Sequence, residues 1–252
     1  MNLRYKTVFE SKKVNLASVE VLVVIPCLYE HLTISRVIYR LRKIFGGRVY
    51  IVVVVNHGYD PSIDKAVEAG ADVVLLNESR GYGLAILTGL HYLISRFPSR
   101  MPTMIIDADD TYIPPRNLPY ILNAFIKASN SFLILGRRSV EKGSMPLINR
   151  IGNILINKII RILGGLKVGD SQTGLKIFPL GLFHTLREKG MSLSGEILLN
   201  SWLYNYKIFE IPIKYTKRNS NSNSKLNVLT DGVKILWMTS TKVLLYRIWR
   251  RS

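Results

Sequence analysis

The sequence predicts an α/β fold in which a largely parallel central sheet is flanked by helices. Along the first half of the chain, short apolar runs rich in β-branched residues alternate with segments whose apolar residues recur at helical spacing. Strands that alternate with helices in this way pair in parallel, because each helix crosses back over one face of the sheet. The chain has 252 residues, of which 48% are hydrophobic, so it can bury the core of one domain.

The elements follow one another in a regular order through the first half of the chain. The predicted strands are Val21–Ile25, Val49–Val55, Val73–Leu76, Met104–Ile106 and Phe132–Leu135. The first four are followed by predicted helices over Ile34–Leu41, Ile63–Ala69, Leu84–Leu93 and Leu118–Ile126. Because ligands of such sheets bind beyond the carboxyl ends of the strands, the residues directly after each strand are the candidates for chemistry.

The second half of the chain departs from this alternation. A basic amphipathic helix is predicted over Leu147–Leu163, a strand over Tyr206–Tyr215 and a helix over Asp231–Arg251. The tract Arg218–Lys225, rich in Asn and Ser, is typical of a mobile loop. Basic residues are interleaved with the apolar residues of the last helix, which favours a helix at a membrane interface, and a helix packed on its own domain is the alternative.

The composition predicts an anionic partner. Lysine and arginine number 35 against 17 acidic residues, and the net charge of +18 fits nucleic acid, anionic lipid or phosphorylated substrates. The single cysteine, Cys27, excludes an internal disulfide and indicates a reducing compartment. The segment Met1–Glu20 lacks the apolar core of a signal peptide, and no apolar run reaches the length of about 18 residues that a spanning helix needs. We therefore expect an intracellular protein that lies on a membrane if it meets one.

Acidic residues follow the predicted strand Met104–Ile106. Asp107, Asp109 and Asp110 would repel one another there unless a cation neutralised them. A hard divalent ion suits the position, since magnesium prefers one or two carboxylates together with diphosphate oxygens. A solvated acidic turn or a helix cap is the alternative interpretation.

Glycine-containing turns follow two other strands. Arg80-Gly-Tyr-Gly precedes a predicted helix, whose N-terminus and flexible backbone could receive a phosphate or a nucleoside. Asn56-His-Gly-Tyr-Asp could likewise form a ligand loop. Both segments are also compatible with ordinary turns, and Arg80-Gly-Tyr-Gly lacks the full spacing of a dinucleotide site.

The segment Asp170-Ser-Gln-Thr-Gly-Leu-Lys combines an acid, several hydrogen-bonding groups, a glycine and a base. That density indicates more than a simple connection to the apolar run Ile177–Leu180. Further along, Glu196 lies in a helical pattern, where it either borders a site or is solvated.

In this order the segments resemble the family-2 glycosyltransferases, which have a Rossmann-like GT-A fold, and within them the polyprenyl-phosphate (dolichyl-phosphate) sugar synthases. The matching motifs are Val23-Val-Ile-Pro-Cys-Leu-Tyr-Glu, Arg80-Gly-Tyr-Gly-Leu-Ala, Asp107-Ala-Asp, Gly136-Arg-Arg and Asp170-Ser-Gln-Thr-Gly-Leu-Lys. We accordingly divide the chain into a basic tail over 1–19, a GT-A domain over 20–226 and a basic amphipathic C-terminal helix over 227–252. Within the domain, the nucleotide-sugar half spans about 20–130 and the acceptor half about 131–226.

The resemblance implies an inverting transfer of a hexose from a UDP- or GDP-sugar to a polyprenyl or dolichyl phosphate. It implies that Asp107 and Asp109 bind Mg²⁺ or Mn²⁺ against the donor diphosphate. The implied contacts to the nucleotide sugar are Pro26, Glu30, Asn56, Gly58, Arg80, Gly81, Asp107, Ala108 and Asp109.

For the acceptor, the resemblance implies phosphate contacts from basic and hydroxyl side chains. These are Arg137, Arg138, Arg218, Ser224 and Lys225, with Gln172 and Glu196 also on the acceptor side. Asp109 and Asp170 are the implied catalytic residues. A phosphate acceptor is already ionised near neutral pH, so Asp170 is expected to position it and to act as a base only if the acceptor is a hydroxyl.

The sequence departs from the family pattern at positions that bear on the substrates. Asn56-His-Gly-Tyr stands where relatives have Asp-Asp-Gly-Ser, which leaves the nucleotide base open. Thr111 replaces a glutamine frequent in mannosyl relatives, whereas Gln172 favours glucosyl-type relatives. Many relatives carry transmembrane helices after this domain, so membrane contact is expected through amphipathic surfaces or a membrane partner subunit, at the cytoplasmic face.

Other functions remain compatible with parts of the sequence. A saccharide acceptor fits the donor half equally well, and the altered Asn56-His57 pair would suit a protein that binds a nucleotide sugar without turnover. A nucleic-acid-binding protein is suggested by charge alone, and the acidic cluster that begins at Asp107 opposes it. We therefore expect no nucleic-acid partner.

Overall fold

The structure is a computed structural model that describes residues 3–12, 15–129, 131–140, 147–216, 233–234 and 237–244. The strands are β1 (Tyr5–Glu10), β2 (Val21–Cys27), β3 (Val49–Val55), β4 (Val73–Asn77), β5 (Pro102–Ile105), β6 (Tyr112–Ile113), β7 (Phe132–Val140), β8 (Lys176–Pro179) and β9 (Lys207–Tyr215). The helices are α1 (Ile34–Phe45), α2 (Ser62–Glu68), α3 (Tyr82–Ile94), α4 (Leu118–Ala128), α5 (Leu147–Gly164) and α6 (Leu193–Leu203). These strands form one nine-stranded sheet in the order β1-β4-β3-β2-β5-β8-β7-β9-β6.

The predicted α/β fold is confirmed. β2 pairs in parallel with β3 and with β5, and β3 pairs in parallel with β4. Every residue of β2 and of β3 is buried, as expected for parallel strands that helices cover on both faces. These strands therefore end at one edge of the sheet, where the candidate residues follow them.

Antiparallel strands complete the sheet, and the alternation of strands and helices does not predict them. β8 lies between β5 and β7 and is antiparallel to both. β1, within the segment assigned to the N-terminal tail, pairs antiparallel with β4 at the sheet edge. Most of its side chains are exposed, so an edge strand of this kind leaves little hydrophobic periodicity in the sequence.

Helices cover both faces of the sheet. Residues of α3 and α6 contribute to the core on one face, and residues of α1, α2 and α4 contribute to the core on the other. Gly89 allows α3 to approach the sheet closely, since a Cβ at this position would lie 2.5 Å from Cγ1 of Val24. This contact fixes the start of α3, at Tyr82, beside the carboxyl ends of β2 and β5.

Only part of the predicted C-terminal helix is described. Residues 233–234 and 237–244 are helical, and Met238 and Val243 pack against Leu199 of α6. The remainder of the range 227–252 lies outside the described residues. Within the ranges that the structure covers, no helix has the length and apolar character needed to cross a membrane.

Candidate active site

A cavity of about 470 Å³ opens where β2, β3 and β5 end. From the first half of the chain it is lined by Pro26, Cys27, Leu28, Glu30, Asn56, Gly81, Tyr82, Asp107, Ala108, Asp109, Thr111 and Tyr112. From the second half it is lined by Arg138, Gln172, Gly174, Gly190, Met191, Ser194 and Tyr215. Its size is within the range of small-molecule sites. The structure thus brings most of the predicted donor residues together with part of the predicted acceptor residues.

The turn after β5 directs two carboxylates at this cavity and a third away from it. Asp107 and Asp109 line the cavity on either side of buried Ala108. Asp110 has a φ of 60° and forms ion pairs with Arg36 and Arg40 of α1. The acidic cluster is therefore divided, and Asp110 anchors the turn to α1 instead of joining the other two.

Asp107 is held by its surroundings from two sides. The hydroxyl of Tyr82 donates a hydrogen bond to its Oδ1 at 2.9 Å. Gly174 lies against the other oxygen, since a Cβ on Gly174 would be 2.1 Å from Oδ2. Burial and the nearby charge of Asp107 raise the pKa of Tyr82 well above its ordinary value, so the phenol stays protonated and continues to donate.

Asp109 is oriented by its own turn. Its Oδ1 accepts hydrogen bonds from the backbone N–H of Thr111 at 3.2 Å and from the Thr111 hydroxyl at 2.7 Å. Thr111 is itself buried, so this hydroxyl is fixed on the carboxylate. Thr111, which stands where mannosyl relatives often have a glutamine, therefore positions Asp109.

The donor-side end of the cavity is built from buried polar residues. Glu30 is 5% exposed, and its backbone N–H donates to the Ser62 hydroxyl at 2.8 Å. The Asn56 side chain accepts a hydrogen bond from Asn77 at 3.0 Å and donates to the carbonyl of Gly81 at 3.4 Å. Asn56 thus ties the turn after β3 to the turn before α3.

Two predicted donor contacts are not among the residues that line the cavity. Gly58 and Arg80 are both exposed, and the structure places them outside the lining. His57 lies among aromatic rings, with its ring centroid 5.5 Å from that of Tyr29 and 6.1 Å from that of Tyr59.

On the acceptor side, Arg138 and Asp170 form a buried ion pair. Nε of Arg138 donates to Oδ2 of Asp170 at 2.5 Å, and Nη2 donates to Oδ1 at 2.7 Å. Side-chain exposures are 8% for Arg138 and 9% for Asp170. Both carboxylate oxygens therefore accept from the guanidinium, and Asp170 fixes the orientation of Arg138. Arg137 is exposed, and its guanidinium lies over Gly169.

Lys176, the base at the end of the segment that begins at Asp170, is buried beneath the site, a placement that was not among the sequence predictions. Its amine donates to the Ser194 hydroxyl at 2.6 Å and to the carbonyl of Thr173. Burial lowers the pKa of Lys176 to about 7, while the nearby carboxylates of Asp170 and Asp107 oppose that shift. The available signal was a lysine immediately before the apolar run of β8, where a charged side chain must find partners inside the protein.

Glu196 is buried away from the cavity lining. Its Oε2 accepts from the backbone N–H groups of Arg187 and Glu188, each at 2.8 Å. Its Oε1 accepts from the amine of Lys242 at 2.6 Å, and its side chain is 1% exposed. Neither alternative considered from the sequence, a site border or a solvated residue, describes this position. Glu196 instead holds the segment 187–191 and the C-terminal segment together.

Of the four remaining residues predicted for the acceptor side, one lines the cavity and three fall outside the described residues. Arg218, Ser224 and Lys225 lie outside the described residues. Gln172 lines the cavity.

The residue types at the β5 turn fit a divalent ion whose coordination shell is completed by substrate oxygens, because two carboxylates face one cavity. In the described part of the chain, no group of three or more His, Cys, Asp or Glu side chains forms a metal site by itself.

Comparison with known proteins supports the same class of enzyme, although no family model matches the chain. It is 29% identical over 209 residues to the dolichyl-phosphate hexose transferase of Haloferax volcanii, covering 82% of this chain and 86% of that protein. It is 28% identical over 166 residues to the UDP-N-acetylglucosamine–dolichyl-phosphate N-acetylglucosaminyltransferase of Methanococcus voltae, covering 64% of each.

A solved structure shares the fold. The glucosyl-3-phosphoglycerate synthase of Mycobacterium tuberculosis, in complex with Mn²⁺, uridine diphosphate and phosphoglyceric acid, superposes with a TM-score of 0.70. The match covers 90% of this chain and 79% of that one at 18% sequence identity. The GT-A architecture and the named relatives agree that the protein is a glycosyltransferase, and it is similar to those of family 2.

Proposed function

We propose that this glycosyltransferase transfers a hexose, with inversion, from a nucleotide sugar to a polyprenyl or dolichyl phosphate at a membrane surface. One observation carries the proposal: a single cavity is lined by two acidic residues, Asp107 and Asp109, and by the basic residue Arg138. Such a cavity can bind a donor diphosphate through a cation at one end and an anionic acceptor at the other. The names of the curated relatives support a lipid phosphate as that acceptor.

The donor end would bind a nucleoside diphosphate sugar. Asp107 and Asp109 would hold Mg²⁺ or Mn²⁺, and such an ion would supply positive charge to stabilise a departing diphosphate. Tyr82 orients Asp107 and Thr111 orients Asp109, so both carboxylates are preorganised in the absence of the donor. The buried side chains of Glu30 and Asn56, which line the same cavity, would contact the nucleoside.

The acceptor end would bind a phosphate. Arginine presents its N–H groups in a planar fork that matches phosphate geometry. Asp170 occupies Nε and Nη2 of Arg138, so it fixes the guanidinium plane and is itself committed to that pair. Since a phosphate oxygen is already ionised at neutral pH, we assign Asp170 to positioning and not to deprotonation. Arg137, exposed beside Gly169, would provide a second cationic contact.

The first experiment is transfer of radiolabel from a panel of UDP- and GDP-sugars into polyprenyl phosphate, extracted into organic solvent, with and without Mg²⁺ or Mn²⁺. Metal-dependent label in the lipid phase would support the reaction and identify the donor. Label in a saccharide instead of the lipid would retain the glycosyltransferase and reject the lipid acceptor. Donor binding without transfer or hydrolysis would reject turnover altogether.

A further inference from the structure

Helix α5 has an exposed apolar surface that the catalytic cavity does not use. Ile156 and Ile160 of this helix are buried in the protein. The exposed fractions on the outer side are 49% for Ile151, 57% for Ile154, 51% for Leu155 and 62% for Ile162. At about 100° per residue these four side chains fall in one sector of the helix, opposite the buried pair. We call this sector the α5 face.

The charges on α5 have one sign. Arg150, Lys158 and Arg161 are exposed, and Lys158 lies within the α5 face between its apolar residues. The helix sequence contains no acidic residue. An amphipathic helix whose outer side combines isoleucine and leucine with lysine and arginine has the composition of a helix that lies in the headgroup region of an anionic membrane.

The α5 face is held next to the acceptor-side motif. Asn157, on the inner part of α5, donates from Nδ2 to the carbonyl of Gly169 at 2.8 Å and accepts at Oδ1 from the backbone N–H of Ser171 at 3.1 Å. These bonds bracket Asp170, the partner of Arg138. The exposed guanidinium of Arg137 lies over Gly169 in the same place. A surface bound by α5 would therefore lie beside the groups assigned to the acceptor phosphate.

We propose that the α5 face docks this enzyme onto an anionic lipid bilayer. A bilayer takes up the apolar side chains and supplies counter-charges for the basic ones, so it satisfies both parts of the surface. A second copy of the chain would oppose the same cations across a symmetric contact, which is unfavourable. Nucleic acid would leave the exposed isoleucines without apolar partners. The proposal rests on the lipid-phosphate acceptor proposed above, because it places α5 where such an acceptor would emerge.

The test is flotation of the full chain with vesicles that contain no polyprenyl phosphate, made of phosphatidylcholine alone or mixed with phosphatidylglycerol. The test variant combines Ile151→Ser, Ile154→Ser and Leu155→Ser. The matched control combines Tyr39→Ser, Tyr120→Ser and Tyr204→Ser, which are exposed apolar residues on other parts of the surface. We expect the test variant to lose at least about tenfold of the partition coefficient for anionic vesicles, and the control to bind as the wild type does.

A second variant tests the charge. Lys158→Gln with Arg161→Gln should weaken binding to anionic vesicles several-fold while leaving the weak binding to phosphatidylcholine unchanged. Lys65→Gln with Lys127→Gln, exposed lysines on α2 and α4, is the matched control. All variants are compared for binding of the nucleotide sugar that the radiolabel assay identifies as donor, which shows that the cavity is intact independently of the vesicles.

The proposal is overturned if the variant with serine at positions 151, 154 and 155 binds anionic vesicles as strongly as the wild type does. It is also overturned if light scattering shows that the wild type self-associates and that this variant does not, while the variant still binds vesicles. In that case the α5 face contacts a second copy of the chain. If vesicle binding depends on the α5 face but the enzyme transfers no sugar to polyprenyl phosphate, the docking surface is supported and the proposed acceptor is rejected.

Discussion

The two cavity carboxylates are held by different means. Asp107 depends on a residue of another element, the Tyr82 hydroxyl at the start of α3, whereas Asp109 depends on Thr111 in its own turn. Both arrangements orient an oxygen without adding a positive charge. Neither the Tyr82 hydroxyl nor the Thr111 hydroxyl is a cation that would compete with a divalent ion for the carboxylate.

Replacing either acid tests this assignment. We expect Asp107→Asn and Asp109→Asn each to abolish glycosyl transfer in the radiolabel assay, because each removes one anionic ligand. The circular dichroism spectrum should stay unchanged, since both side chains border an open cavity. Asp64→Asn, at an exposed site on α2, is the control and should transfer normally. Wild-type turnover by either cavity variant would contradict the metal assignment.

Tyr82 is expected to act through Asp107. A hydrogen bond to a charged group contributes about 1.5–3 kcal/mol, so Tyr82→Phe should lower kcat by about tenfold or more and weaken activation by Mn²⁺. Tyr92→Phe removes the hydroxyl that donates to Glu10 at the other end of α3 and serves as the control. An unchanged Mn²⁺ dependence in Tyr82→Phe would show that the phenol does not position the ligand.

Lys176 should make the stability of the protein depend on pH. Its pKa falls from 10.5 to about 7 on burial, so the unfolded chain binds a proton that the folded chain lacks between these values. The free energy of unfolding should therefore rise as the pH increases from about 7 towards 10.5, and this rise should be absent from Lys176→Met. Urea denaturation at several pH values measures both slopes, and equal slopes would contradict the buried, neutral amine.

At the level of elements, Glu196 of α6 connects the C-terminal segment to the donor side of the cavity. It binds the backbone of residues 187 and 188, and the carbonyl of Lys189 in the same segment accepts from the N–H of Leu84 at 2.9 Å. The contact is close, because a Cβ on Gly83 would lie 2.6 Å from the carbonyl oxygen of Gly190. The segment 187–191 thus packs on the start of α3, next to Tyr82.

Removing the Glu196 carboxylate should destabilise the protein strongly. Glu196→Ala leaves two backbone N–H groups without their acceptor and removes the carboxylate that pairs with Lys242, whose amine keeps only Asn200. Breaking a buried pair costs about 3–5 kcal/mol. Glu68→Ala, in an exposed pair with Lys65, should change the free energy of unfolding by less than about 1 kcal/mol. Chemical denaturation compares the two, and a similar small change in both would show that the Glu196 cluster is not stabilising.

At the level of the whole molecule, the cavity joins both halves of the chain. Residues at the ends of β2, β3 and β5 line it together with Gly190, Met191, Ser194 and Tyr215 from the second half of the chain. A ligand that contacts both walls binds only the folded arrangement. Its binding free energy therefore adds to the stability of the entire domain.

The nucleoside diphosphate of the donor that the radiolabel assay identifies should raise the melting temperature when Mn²⁺ is present. At ligand concentrations about 100 times the dissociation constant, the added stability is about 2.7 kcal/mol, which corresponds to roughly 5–10 °C for a domain of this size. Asp107→Asn should lose most of this shift, and the same nucleotide with EDTA should produce little of it. An equal shift in wild type and Asp107→Asn, followed by differential scanning fluorimetry, would place the metal elsewhere.

The sequence by itself determined the α/β fold and the edge of the sheet at which the candidate site lies. Strands such as β2 and β3 are continuous apolar runs, and helices such as α1 have a clear apolar period, so local pattern was sufficient to identify them. Asp107 and Asp109 follow a buried strand, and the edge at which parallel strands end could be deduced without coordinates.

Only the tertiary structure decided the partners of the charged residues. Arg138 and Asp170 are 32 positions apart, and Glu196 and Lys242 are 46 positions apart, so no local periodicity records their pairing. A buried ion pair forms because desolvated charges must be matched in space, whichever part of the chain supplies the match. For the same reason Asp110 pairs with arginines of α1 instead of lining the cavity, and the buried amine of Lys176 donates to Ser194. The sequence shows which charges exist, and the packing of the sheet and helices determines which of them meet.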